Sequence, residues 1–184
     1  MLYDEDIRDG LCEYLEGRYG KVRFFDELVI GKSRADIVMV TPDALFGIEI
    51  KSDADTYARL SRQVKDYDRY FDRNIVAVGA SHGHHIREHV PDYWGVITVE
   101  EVGGELDFYE LRKPQNSPKA KMANQLSLLW KRELSNIQSA NGLYRYAGKN
   151  KRYIAKYLMD VMPDNLLKKA IIEELFERDY TTIR

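Results

Sequence analysis

Three charged residues sit where the surrounding sequence is apolar. Asp36 lies inside the run Ala-Asp-Ile-Val-Met-Val (35–40), and Glu49 and Lys51 lie inside Phe-Gly-Ile-Glu-Ile-Lys (46–51). If both runs are strands, side chains alternate between the two faces, so Glu49 and Lys51 share one face. A charge inside a buried strand is costly unless it is paired or binds a metal. Two carboxylates that converge repel each other, and a divalent cation removes that repulsion. Hard cations such as Mg²⁺ take oxygen ligands and keep several waters, which leaves room for a phosphate. A nearby lysine can orient a water or offset negative charge as phosphate is attacked. The pattern assigns Asp36 and Glu49 as ligands of Mg²⁺ or Mn²⁺, with the Ile50 carbonyl as a further oxygen. Lys51 is assigned to the attacking water.

The elements that must position these residues are legible in the periodicity. Residues 4–17 carry Ile7, Leu11, Tyr14 and Leu15 at helical spacing, with Gly17 or Gly20 to end the run. Three strand-like runs follow, at 22–30, 35–40 and 45–51. Gly31-Lys32 suits a two-residue turn between the first two, and Thr41-Pro42-Asp43 is turn chemistry before the third. Residues 55–72 place Tyr57, Leu60, Val64, Tyr67 and Phe71 on one stripe of a helix. Residues 74–79 read as a fully buried strand, and 94–99 and 106–111 as two more. Residues 112–119 contain Pro114 and Pro118 but no apolar residue, and read as a linker. Beyond it the pattern is helical only: one helix over 120–139, one near 150–161, and a last one N-capped by Asp164. The expected organisation is a sheet-bearing core over 1–111, the linker over 112–119 and a helical region over 120–184.

Composition narrows the class. A chain of 184 residues, 44% hydrophobic and 32% charged, is suited to one folded domain with a small appendage and not to disorder. No apolar run approaches the roughly 18 residues that span a bilayer. The acidic N-terminus lacks the pattern of a signal peptide, and the single Cys12 excludes a disulfide framework, so a cytoplasmic location is expected. The net charge of −2 is unevenly spread, with basic clusters gathered over 112–169.

Asp36 followed by Glu49-Ile50-Lys51 resembles the Asp, then Glu-x-Lys, of the PD-(D/E)XK nuclease superfamily, with Ala35 in place of the proline of that name. Gln63-Val-Lys-Asp-Tyr67 resembles the Gln-x-x-x-Tyr element of its RecB-like branch. The wider run, from Arg34-Ala-Asp36 through Arg62-Gln63, Phe71-Asp72-Arg73 and Trp94-Gly95-Val96, looks closer still to a bacterial family with this core. That likeness extends more weakly through Leu128-Leu-Trp-Lys-Arg-Glu133. The resemblance implies an α/β, restriction-endonuclease-like fold: a mixed sheet of five or six strands flanked by helices, with a C-terminal all-helical appendage. It implies Mg²⁺- or Mn²⁺-dependent hydrolysis of nucleic-acid phosphodiesters, DNA ahead of RNA. The superfamily often has a third acid. A two-residue turn at Gly31-Lys32 would set Glu27 across from Asp36, whereas a longer turn would favour Glu5 or Glu13. Gln63 is placed to touch substrate or brace Lys51. Tyr67 fits equally well as a core residue of the apolar stripe.

Two other patterns compete. His85-Ile-Arg-Glu-His89 spells the inverted zinc-protease signature, but the space between Gly79 and Pro91 allows only about two helical turns. A surface loop near the nuclease site is the better reading, with His82 able to approach phosphate. Lys149, Lys151 and Arg152, interleaved with tyrosines, have the composition of a nucleic-acid surface, and Arg59 is a further candidate contact. The competing class is a nuclease-like fold that binds DNA or protein without cutting.

Overall fold

The computed structural model describes residues 4–52, 57–83 and 85–180. Two compact units divide the chain, Met1–Ala120 and Lys121–Arg184. The first opens with α1 (Asp4–Tyr19), which ends where Gly20 takes a φ of 74°. It is followed by β1 (Arg23–Ile30), β2 (Ser33–Val40) and β3 (Leu45–Lys51). A 3-10 turn (Tyr57–Arg59) leads into α2 (Leu60–Tyr70), and then come β4 (Arg73–Gly79), β5 (Gly95–Val102) and β6 (Glu105–Arg112). Residues 55 and 56, expected to begin the helix of α2, lie outside the described residues.

The six strands form one sheet in chain order. β1, β2 and β3 are antiparallel, β3, β4 and β5 are parallel, and β6 closes the sheet antiparallel to β5. The parallel step from β3 to β4 needs a crossover, and α2 supplies it. Alternation along β3 separates two faces. Phe46, Ile48 and Ile50 join Ile7, Leu11 and Leu15 of α1 in a core completed by Ile37, Ile75 and Ile97. Gly47, Glu49 and Lys51 lie on the opposite face, where α2 packs. At Gly47 an added Cβ would sit 2.2 Å from the Phe71 ring and 2.6 Å from that of Tyr67. The absence of a side chain there lets the α2 aromatics rest directly on the strand.

A buried carboxylate ties down the far side of α2. Asp68 is fully buried and accepts hydrogen bonds from Tyr93 Oη (2.6 Å), Trp94 Nε1 (2.8 Å) and Lys119 Nζ (3.1 Å). Ser117 N donates to the Asp72 carbonyl at 2.7 Å, and Gln115 N to that of Tyr93 at 2.8 Å. The proline-rich segment read as a linker is therefore strapped along this unit.

The second unit contains α3 (Met122–Leu128), α4 (Lys131–Ala140), α5 (Lys151–Val161) and α6 (Asp164–Phe176). The single helix expected over 120–139 is broken at Leu129 and Trp130, both extended. Glu133 causes the break: its carboxylate accepts the Trp130 amide at 2.6 Å and both Nε and Nη2 of the buried Arg178 at 2.7 Å. Pro163, not Asp164, occupies the N-cap position of α6, and Asp164 lies in the first turn without a capping bond. No described helix is long and apolar enough to cross a membrane.

Candidate active site

β2 and β3 carry the carboxylates, and their register brings them together. Ile37 pairs with Ile48, so Asp36 and Glu49 follow as neighbours on the α2 face. The strands diverge there, and Asp36 Oδ2 accepts the Ile50 amide at 2.8 Å. Glu49 is fully buried, Lys51 is buried, and Asp36 is half-buried.

Glu49 is the hub of the polar cluster. Its Oε1 accepts from Lys51 Nζ at 2.5 Å and also from Gln63 Nε2. Its Oε2 accepts from the Tyr67 hydroxyl at 2.6 Å. That hydroxyl in turn accepts the Asp36 amide at 3.2 Å, so Tyr67 connects both carboxylate-bearing strands to α2. Burial, then the charges of Glu49 and Asp36, pushes the Tyr67 hydroxyl well above the ordinary tyrosine range and keeps it a donor. Gln63 and Tyr67 are one helical turn apart, which explains how both reach the same carboxylate. The Gln63 Oε1 atom is buried and has no hydrogen-bond partner in the structure.

These groups line a polar recess of about 330 Å³, near the lower end of the range for ligand pockets. Asp36, Glu49, Ile50, Lys51 and Gln63 line it, together with Arg59 from the 3-10 turn. The turn between β1 and β2 also contributes. Gly31 has a φ of 60°, and an added Cβ would fall 2.8 Å from Asp66 Oδ1. Asp66 Oδ2 accepts from Ser33 Oγ at 2.7 Å and from the Lys32 amide at 3.3 Å, which locks the turn to α2. Burial raises the Asp66 carboxyl, but the bonds from Ser33, Arg69 and Lys32 outweigh it and hold the group below its ordinary value.

The candidates for a third acid are placed elsewhere. Glu27 does stand opposite Asp36 in register, between the pairs Asp26–Ile37 and Leu28–Ala35. Its φ of 53° takes it out of strand geometry, and its exposed carboxylate pairs with Arg34 at 3.2 Å, off the lining of the recess. Glu13 lines a separate cleft between α1 and β6, and the Glu5 side chain lies outside the described residues. Among the described residues no group of three or more metal-ligating side chains occurs.

The histidine segment forms a short 3-10 turn, Ile86–Glu88, so His85 and His89 do not share a helix face. His89 instead stacks on Tyr57, with centroids 4.4 Å apart, and Tyr57 Oη lies 3.0 Å from His82 Nδ1. In the second unit, Arg152 is exposed and Lys149 lies over the Tyr153 ring at 5.1 Å. Lys151 is half-buried and donates to the Ser127 carbonyl at 2.6 Å. Burial and the Arg178 charge lower its pKa. Sequence reasoning left Tyr67, which lies behind Glu49, undecided, and passed over Arg62 and Lys32, both of which line the recess. The Gln-x-x-x-Tyr spacing was the one signal for Tyr67.

A family model described as Bacteriophage P4 protein cII matches residues 2–183. Protein cII of Enterobacteria phage P4 is 21% identical over 186 aligned residues, spanning 99% of this chain and 70% of the phage protein. Among solved structures, that of Pyrococcus furiosus SfsA in complex with Ca²⁺ is similar at 15% identity with a TM-score of 0.39. That match covers 59% of this chain and 62% of the SfsA chain, under two thirds of its length.

Proposed function

We propose that this chain, which belongs to the family of bacteriophage P4 protein cII, is a metal-dependent nuclease with a restriction-endonuclease-like core. The observation that carries the reading is the convergence of Asp36, Glu49, Lys51 and Gln63, from three elements, on one polar recess. The donor set suits a hard divalent cation. Two carboxylates and the backbone at Ile50 supply oxygen, and the buried Gln63 Oε1 lacks a partner beside them. Asp36 and Glu49 would hold Mg²⁺ or Mn²⁺, which when bound supplies Lewis-acid stabilisation of the charge developing on phosphate.

The chain's own groups account for the rest. Lys51 is anchored on Glu49, so its ammonium is positioned before substrate arrives and loses little freedom in use. It orients the attacking water and offsets charge on the phosphate oxygens. Gln63 Oε1 can accept a hydrogen bond from that water and help to orient it, while its Nε2 stays on Glu49. Water adds to phosphorus and gives up a proton to solvent, the bond to the leaving oxygen breaks, and that oxygen takes up a proton from solvent. Lys149 and Arg152 of the second unit are candidate contacts to the nucleic-acid backbone; Lys151, already engaged, is a weaker one.

A second reading is a binding module of the same fold that does not cut. It is favoured by the protein donors that already satisfy both oxygens of Glu49. One experiment separates the two. Labelled single-stranded, double-stranded and branched DNA, and RNA, are incubated with the protein in Mg²⁺, Mn²⁺ or EDTA. The nuclease reading expects metal-dependent cleavage that Glu49→Gln and Asp36→Asn abolish. Binding without cleavage by the wild type in every metal would establish the module instead.

A further inference from the structure

Around the recess the charge changes sign. Its lining includes two acids, Asp36 and Glu49, but five cations: Lys32, Arg34, Lys51, Arg59 and Arg62. Lys51 is taken up by Glu49. Lys32 comes from the turn that Asp66 pins to α2. Arg34 is aligned by its pair with Glu27, at 3.2 Å. Glu27 makes that pair from a φ of 53°, a left-handed conformation that residues with a Cβ rarely adopt. Arg59 and Arg62 are exposed, and no ion pair is formed by either among the described residues. Like charges gathered at a concave surface create a positive potential that an anion relieves, and arginine matches phosphate oxygens with two donors at once.

We infer that Arg59 and Arg62, with Lys32 and the Glu27-aligned Arg34, form a second phosphate subsite, which holds the backbone phosphate next to the one attacked. This inference rests on the nuclease reading and names how that site grips its strand. It also gives Glu27 a different task from metal ligation: Glu27 is a positioning residue for Arg34. The ligand is an internal phosphodiester of a polynucleotide, and a terminal phosphate of the same chemistry is the alternative source.

The test is binding without chemistry. The full chain is titrated with fluorescent single-stranded oligonucleotides, bearing either a 5′-hydroxyl or a 5′-phosphate, in EDTA over a range of NaCl. Arg59→Ala/Arg62→Ala should weaken binding of both oligonucleotides and flatten the log–log salt dependence by about 1.4, from about 0.7 per contact on a single strand. Arg59→Lys/Arg62→Lys should restore most of the slope. Lys65→Ala/Lys113→Ala, also exposed but away from the recess, should leave it unchanged. A loss confined to the phosphorylated oligonucleotide would overturn the internal assignment. No wild-type binding, an unchanged slope in the arginine variant, or an equal loss in the control would overturn the subsite altogether. Failure of the nuclease reading looks different: the arginine variant would still flatten the slope, yet the wild type would cleave nothing when Mg²⁺ or Mn²⁺ is added.

Discussion

The Tyr67 hydroxyl donates to Glu49 Oε2 at 2.6 Å, from a ring that is completely buried. One side chain of the crossover helix thus fixes the orientation of the carboxylate at the centre of the recess. Tyr67→Phe removes that donor and keeps the packing. Leaving a buried carboxylate oxygen short of a partner costs about 1–3 kcal/mol. Urea denaturation of the metal-free protein should register the loss, and single-turnover cleavage should slow. An unchanged cleavage rate would reduce Tyr67 to a core residue.

Gly47 should be less replaceable than its size suggests. In Gly47→Ala the new methyl would press on Tyr67 and Phe71, at 2.6 and 2.2 Å before relaxation. Overpacking of this kind costs about 1–3 kcal/mol. Because α2 must shift, Gln63 and Tyr67 move with it. The variant should therefore lose stability and cleavage together, and compensating only its stability with an osmolyte should not restore the rate.

Glu49 and Lys51 are coupled, and a double-mutant cycle will show it. Lys51 Nζ is 2.5 Å from Glu49, and both side chains are largely buried. Glu49→Ala leaves a buried ammonium without its partner and should cost about 3–5 kcal/mol without metal. Lys51→Met should be costly for the converse reason. Glu49→Ala/Lys51→Met together should cost much less than the sum of the single changes, as read from denaturant midpoints. Additive losses would mean that the pair does not form in solution.

The Asp66 tether should make stability sensitive to acid. Its folded pKa is depressed, so its contribution is fully present above the ordinary carboxylate value, about 3.9, and is lost as pH falls through the lower folded value. Asp66→Asn should be less stable than the wild type at neutral pH, and the gap should narrow in this acidic range. Thermal unfolding of both proteins from pH 7 down to about 2.5 measures it. A gap that stays constant would show that Asp66 is not the titrating tether.

Alternation along 45–51 is a local property, so the shared face of Glu49 and Lys51 was legible in the residues themselves. So was the turn at Gly31-Lys32, which sets the register of β1 and β2. Partnership across elements was not legible in this way. A carboxylate pair reads from sequence as mutual repulsion, but in the fold Glu49 is satisfied by Lys51, Gln63 and Tyr67. Those contacts depend on how closely α2 approaches β3, which Gly47 permits. Glu27 shows the same limit: register sets it opposite Asp36, and a single positive φ turns its carboxylate to Arg34. The helix break at Trp130 depends on Arg178, forty-five residues beyond Glu133, and no window of local periodicity contains both. Spacing along the chain determined which residues could share a face; only the packing of α2 and the dihedral angles of particular residues decided which of them meet.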